Sequence, residues 1–555
     1  MEVSCPVAVA DDWVVRTAGE VRAEAERRHP GEAPTCASGI SPSGPVHLGN
    51  LRELTTPHFV ADEVRKQGVP CRHILSWDDY DRLRRVPAGF PESFAEHIGR
   101  PLTAVPDPCG QHQNWAEHFK EPLRESLARL GIRVTEISQT QMYTSGAYTG
   151  QIILTMRRRT DIGAVLARYQ TRRSAEPDDD EPRNAKGEYY PFKPYCASCG
   201  RDDTTVTGFD DETTEITYTC ACGVQVGPVP IAEVAGKLAW KVDWPMRWAY
   251  ERVTFEPAGV DHSSPGSSFT VGGALVTEIF GGEMPLHFGY SFVGTTGGSS
   301  KMSGSAGGAP TPADALEIFE APLVRWLYAR RRPEQSITLA FDQEVVGRVY
   351  DEWDALSRKV ADGTADAPAG AVYGRAAGTA EGPLPVTPRP LPFRTLASVA
   401  DITAGDQAQI LRILQDLTNQ DPVASLDEVR PRLDCAQAWV AGYMDPADRT
   451  QVRRGPDQDR LAALSEEERG ALKLLTERMG DYWSLSGLTT LLYGIPKLLR
   501  GLPLDAPPTP ELKAAQRAWF ILLYQLLIGK DTGPRLPTLL LALGQDQIRH
   551  LLTPG

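Results

Sequence analysis

At 555 residues, with 41% hydrophobic and 23% charged side chains, the chain has the composition of an ordinary soluble protein and is too long for one core, so roughly three or four domains are expected. No apolar run approaches the ~18 residues of a membrane helix, and the start, MEVSCPVAVADDWVV, has no basic stretch before its apolar patch, which predicts neither span nor secretion signal and a cytoplasmic location. A net charge of −14 argues against nonspecific nucleic-acid coating but allows a local basic surface.

In chain order, residues 33–40 (APTCASGI) and 69–77 (VPCRHILSW) read as short buried strands on either side of a helix from about 50 to 67. Strand, glycine-rich turn, helix, strand is a βαβ unit and predicts a parallel sheet covered by helices. The turn itself, PSGPVHLGN (42–50), offers bare backbone N–H groups and a helix start, which favour a phosphate. His47 and Asn50 flank Gly49 and suit phosphate donors, and Gly49 permits close approach of a flat ring. The plainer reading is a tight turn with a structural histidine.

An acidic stretch, SAEPDDDEPRNAKGEYY (174–190), breaks the pattern. Strand-like text resumes at KLAWKVDW (237–244) and VTFEPAGVDHSSPGSS (253–268), so an insertion is expected to split the sheet. The Gly/Ser segment GSSKMSGS (298–305) carries Lys301, suited to a clamp on nucleotide phosphates. Residues 361–393 are rich in Ala, Gly and Pro and read as a linker or surface meander. Beyond about 394 nearly everything reads helical, and LKAAQRAWFILLYQLLIG is apolar nearly all round, as a helix buried in a bundle would be.

Nine cysteines, four of them clustered, do not form a disulfide framework. Cys196, Cys199, Cys220 and Cys222 read CASC, twenty residues, CAC, which suggests a four-thiolate structural zinc ribbon or else a metal-free loop with reduced thiols. Basic clusters stand at MRRRT (156–160), RYQTRR (168–173) and WLYARRRP (326–333). They read as solvated faces or as phosphate contacts for a nucleic acid.

PSGPVHLGN (42–50) and KMSGS (301–305) together resemble the HIGH and KMSKS signatures of class I aminoacyl-tRNA synthetases. SWDDYDRLRRVP (76–87), PLTAVPDPCG (101–110), WAEHF (115–119), KVDWPMRW (241–248) and FEPAGVDHSSPGSS (255–268) look like the class I lysyl-tRNA synthetase family of archaeal type. The resemblance implies a Rossmann-like α/β parallel-sheet catalytic domain in two halves (1–150 and 237–310). Between the halves lies a zinc-ribbon-like acceptor-arm insertion (151–236). A connecting region (311–393) and an all-helical anticodon-binding domain (394–555) follow.

It further implies ATP-dependent activation of L-lysine and transfer to tRNA(Lys), with Mg²⁺ accompanying ATP, by a monomer. His47, Asn50 and Lys301 would be catalytic, and Ser43, Gly49, Asp261, Met302 and Ser303 would join them around ATP. Gly39, Ser41, Trp240, His262 and Tyr290 would line the lysine pocket, with Glu53 and Asp79 as carboxylate candidates for the ammonium. Trp240 also reads as plain core, and Asp79 as a helix cap or an arginine partner.

One departure stands out: KMSGSAGG has Gly304 and Ala306 where the family usually keeps a second lysine. A slow enzyme, compensation by a nearby arginine, or a specialised tRNA-binding paralogue with weakened adenylation each fit that loss. An RNA-free ligase for an amine fits less well, having no use for the C-terminal helices.

Overall fold

The computed structural model describes residues 12–169, 187–263, 267–295, 309–418, 420–507 and 509–553. Lys301, Met302 and Ser303, with the rest of their loop, lie outside the described residues, as do 174–186 of the acidic stretch. Helix α1 (Trp13–Arg28) starts on Asp12, whose carboxylate accepts from the backbone N–H of Val14 and Val15, a side-chain cap on otherwise orphaned donors.

Strand β1 (Thr35–Ile40), helix α2 (Leu48–Lys66) and strand β2 (Arg72–Trp77) form the expected βαβ unit. The two strands pair in parallel from Thr35 opposite Arg72 to Ile40 opposite Trp77. After helix α3 (Trp115–Arg129), strand β3 (Thr135–Ser138) pairs in parallel along the other side of β2. Beyond β1 the sheet continues through single-residue parallel bridges, Cys36 to Phe255 and Phe255 to Leu286.

The strands are buried along most of their length because both faces of the sheet are covered. On one face Cys36 packs with Val60, Ala61 and Val64 of α2 and with Ala18 and Val21 of α1. On the other, Ala37 and Ile74 meet Trp244, Trp248 and Phe269. Arg52, buried on α2, donates to the carbonyls of Ser291, Gln335, Arg332 and Pro333, tying the helix to the later part of the sheet unit.

The segment between the sheet's two halves holds helices Thr149–Arg157 and Arg159–Tyr169 and an antiparallel sheet of Thr204–Phe209, Glu215–Cys220 and Gln225–Pro230. Two expectations change. KLAWKVDW is strand only to Leu238; helix Trp240–Glu251 begins at its tryptophan. Spacing of four places Trp240, Trp244 and Trp248 on one helical face, and that period outweighs the β-propensity of the individual residues. Within 361–393, helix Ala367–Ala377 forms where a linker was expected, capped by Asp366 accepting from Ala369 N–H.

By contacts the chain forms two compact units: Met1–Leu316 with Ala321–Ala340 and Lys359–Pro385, and Glu317–Glu320 with Phe341–Arg358 and Val386–Gly555. In the second unit the described elements after 393 are helical. The apolar helix Pro510–Ile528 buries Trp519, Leu522, Leu523, Leu526 and Leu527 and stops at Gly529 in the left-handed conformation, where a Cβ would be strained.

Candidate active site

β1 ends at Ile40, and the chain turns through residues 41–47 into α2. His47 is the N-cap: its Nδ1 accepts from Asn50 N–H, while Asn50 Oδ1 accepts from His47 N–H, both at 3.3 Å. The histidine therefore has the structural role its bland reading gives it. The same bonds orient it for chemistry, because an accepting Nδ1 puts the ring proton on Nε2, and Asn50 keeps its amide donors. Beside this turn lies a cavity of about 330 Å³ lined by Ser41, Ser43, Gly44, His47, Asn50, Asp81, Arg82, Arg84 and Arg85. It combines a helix N-terminus, a bare turn and cations, the attributes of a polyphosphate site.

A second cavity, of about 210 Å³, opens at the β1 residue Gly39 and is also lined by Glu53, Asp78, Arg247, Glu256, His262 and the tryptophans 240, 244 and 248. Trp240 and Trp244 stack with centroids 5.2 Å apart, and Trp248 tilts against Trp244 at 5.0 Å. The indole N–H groups of Trp244 and Trp248 donate to the two oxygens of Glu256 at 3.0 and 2.6 Å. Glu53 accepts from the Tyr290 hydroxyl. Burial pushes Glu53 up to about 8 and Glu256 up to about 7. Arg247 sits 2.8 Å from Asp78 and also pairs with Asp243, so those carboxylates are balanced within the protein. Aromatic walls with two carboxyls in reserve suit a ligand that has an apolar stem and ammonium groups.

Two further clusters have the chemistry of metal sites. The Sγ atoms of Cys196 and Cys222, and those of Cys199 and Cys220, are 3.7 Å apart, and all four lie within 4.8 Å of one another. A tetrahedral zinc with sulfur ligands at about 2.3 Å requires sulfur separations of about 3.8 Å, so the cluster fits. The short CAC pair works because Gly223, left-handed at φ +90°, closes a tight turn back onto Cys220.

The second cluster is Asp107, Cys109, His112 and His118, again with donor atoms within 4.8 Å of one another. His118 Nδ1 lies 3.0 Å from Asp107 Oδ1, and Cys109 Sγ 3.3 Å from His112 Nδ1. Although burial opposes it, the N–H groups of His112, Cys109 and Gln111 hold the Asp107 carboxyl well below the usual range. One thiolate, two imidazoles and a carboxylate fit a borderline cation such as Zn²⁺.

The family model of class I tRNA synthetases (K) matches residues 11–374. A lysine–tRNA ligase of Streptomyces coelicolor is 56% identical over 572 aligned residues, covering 98% of each chain. The chain belongs to the class I tRNA synthetases. More distant relatives are the lysine–tRNA ligases of Thermococcus kodakarensis, 34% identical over 92% of this chain and 93% of that one, and of Treponema pallidum, 32% identical over 94% of each.

In this synthetase the structure gathers Gly39, Glu53, Trp240 and His262 around one cavity, with Tyr290 behind Glu53, and Ser43, His47 and Asn50 around the other. Ser41, expected with lysine, lines the His47 cavity instead, because the chain has already turned out of β1. Gly49 lies in the first turn of α2, and neither it nor Asp261 lines the His47 cavity. Asp79 is a correction. It is fully buried and bonded to Lys120 Nζ at 2.6 Å, Ser138 Oγ at 2.7 Å and Thr140 N–H at 2.8 Å, while its neighbour Asp78 faces the cavity.

Much of the basic text is also engaged within the fold. Arg159 pairs with Asp211, Arg158 with Asp161 and Arg168 with Glu278. In WLYARRRP, Arg330 lies over the Trp326 ring, 4.2 Å from its centroid. Missed in the sequence were Glu256, Trp244 and the Asp107 cluster, although four potential ligands within twelve residues was an available signal.

Proposed function

We infer that this protein is a lysine–tRNA ligase, activating L-lysine with ATP to lysyl-adenylate and transferring the lysyl group to tRNA(Lys). The observation that carries the reading is the tryptophan-walled cavity with Glu53, beside the His47 turn, in a chain 56% identical throughout to a lysine–tRNA ligase. Lysine's methylenes would lie along the indoles and its ε-ammonium would meet Glu53, with Tyr290 holding that carboxylate. ATP's phosphates would sit at the start of α2, receiving hydrogen bonds from His47 Nε2 and Asn50 Nδ2, with Ser43 beside them. Lys301, Met302 and Ser303 would reach the phosphates from their loop.

A carboxylate oxygen of lysine then bonds to the α-phosphorus, the bond to the β-phosphate oxygen breaks, and pyrophosphate leaves with the electron pair. The protein contributes position and charge, not a nucleophile. The cavity offers one carboxylate, Asp81, already engaged by Lys237, which does not fit an all-protein Mg²⁺ site; Mg²⁺ would accompany the ATP. The split catalytic domain, a zinc ribbon at the acceptor arm and anticodon binding by residues 394–555 complete the reading.

The test is lysine-dependent exchange of pyrophosphate into ATP. Exchange is expected, and His47→Ala should lower it about 100-fold. No exchange, with or without tRNA, would overturn the reading.

A further inference from the structure

On a chain of net charge −14, the lining of the His47 cavity runs the other way: Arg82, Arg84 and Arg85 against Asp81 alone. These residues are held in place by the backbone. Arg82 bridges antiparallel to Pro101, Leu83 N–H donates to the Arg100 carbonyl at 2.8 Å, and Gly99 N–H donates to the Leu83 carbonyl at 2.9 Å. Leu102 N–H reaches the Asp81 carbonyl at 2.8 Å. Leu83, completely buried, anchors the segment, and its chain neighbours Arg82 and Arg84 flank that anchor.

Asp81 pairs with Lys237, and Arg82 Nε lies 3.3 Å from Asp202 Oδ2. Arg84 and Arg85 are exposed on the cavity side of the same segment. Two guanidinium groups on a pinned segment, opposite a helix N-terminus, are suited to an anion that spans the gap. Guanidinium also binds phosphate bidentately, which ammonium does not.

We propose that Arg84 and Arg85 grip the β- and γ-phosphates of ATP and stabilise the pyrophosphate as it leaves. The proposal rests on the adenylation reading above and deepens it. As the lysine carboxylate oxygen bonds to the α-phosphorus and the α–β bridging bond breaks, the electron pair moves onto the bridging oxygen. Negative charge therefore grows on the group these arginines face, and no proton is transferred. The pair is built into the sheet unit, so its charge is present before any loop closes.

The test measures pyrophosphate exchange across ATP concentrations at saturating lysine. Arg84→Ala and Arg85→Ala should each lower kcat/KM for ATP about tenfold, and the double variant about 100-fold or more. KM for lysine should stay unchanged, since neither side chain lines the tryptophan-walled cavity. The Arg84→Lys/Arg85→Lys double variant should recover part of the loss, as charge without bidentate geometry. A double variant within about threefold of the parent would overturn the proposal. So would normal exchange with a defect confined to KM for tRNA, which would assign the pair to RNA. A parent protein inert with lysine and ATP both without and with tRNA would overturn the functional reading itself, whereas an active parent with an unimpaired double variant overturns this inference alone.

Discussion

Glu53 and Glu256 hold protons in the folded chain at pH values where the unfolded chain has lost them. Burial moves Glu53 from an ordinary 4.5 to about 8 and Glu256 to about 7. Folding therefore takes up protons between these limits, and the stability this contributes is complete below pH 4.5 and lost as pH rises through 7 to 8. The ligand-free protein should melt at progressively lower temperature from pH 6 to 8.5, and Glu53→Gln should flatten that decline. Lysine works in the opposite direction, because its ammonium needs the ionised carboxylate. Its affinity should rise over the same range, and binding at pH 7 should release protons, detectable as heat that depends on the buffer. Glu53→Gln should raise KM for lysine about 100-fold, as loss of one partner from a buried charge pair does. At this scale the sequence was legible in part. WDDYD marks a carboxylate run, but whether Asp78 or Asp79 faces the cavity depends on Lys120 and Ser138, some 40 and 60 residues away.

At the level of elements, the β1–α2–β2 unit could be read because its pattern is local: two short apolar runs, a glycine-rich turn and a capped helix. The helix at Trp240 was harder, since aromatic and β-branched residues favour strand, and only their spacing of four betrays the helix. The Asp107 cluster hid because its four side chains come from a loop and from the first turn of α3. That helix start matters to the active site, since Trp115 donates its indole N–H to the Ser43 carbonyl at 3.2 Å. Metal analysis of the purified protein should find about two zinc equivalents per chain. Cys199→Ser should remove one, and Cys109→Ser the other, with ATP affinity falling only in the Cys109 variant. Zinc below about a tenth of an equivalent would remove both assignments.

Across the whole molecule the chain crosses between its two units several times before settling into the second at Val386. The sequence suggests a border near 394 instead. It could not show that residues 341–358 belong with the C-terminal helices, since that depends on contacts far apart in the chain. Within the second unit, Tyr350 stacks on Phe393 with centroids 4.3 Å apart, and Trp439 donates to the Phe341 carbonyl at 2.9 Å. A chain ended at Pro385 would leave Val346, Val349, Tyr350 and Trp353, all buried in the full protein, without their core. We expect that fragment to aggregate, as size-exclusion chromatography would show, while the full chain stays dispersed. A well-behaved fragment would show that the first unit does not need the second.

Three of the eleven tryptophans stand in the wall of the Gly39 cavity, two of them bonded to a carboxyl that burial raises to about 7. Occupancy of that cavity should therefore change the intrinsic fluorescence of the unlabelled enzyme. A spectrofluorimeter could follow amino-acid arrival in stopped flow, ahead of and separate from any nucleotide chemistry, with Trp244→Phe as the dimmed control.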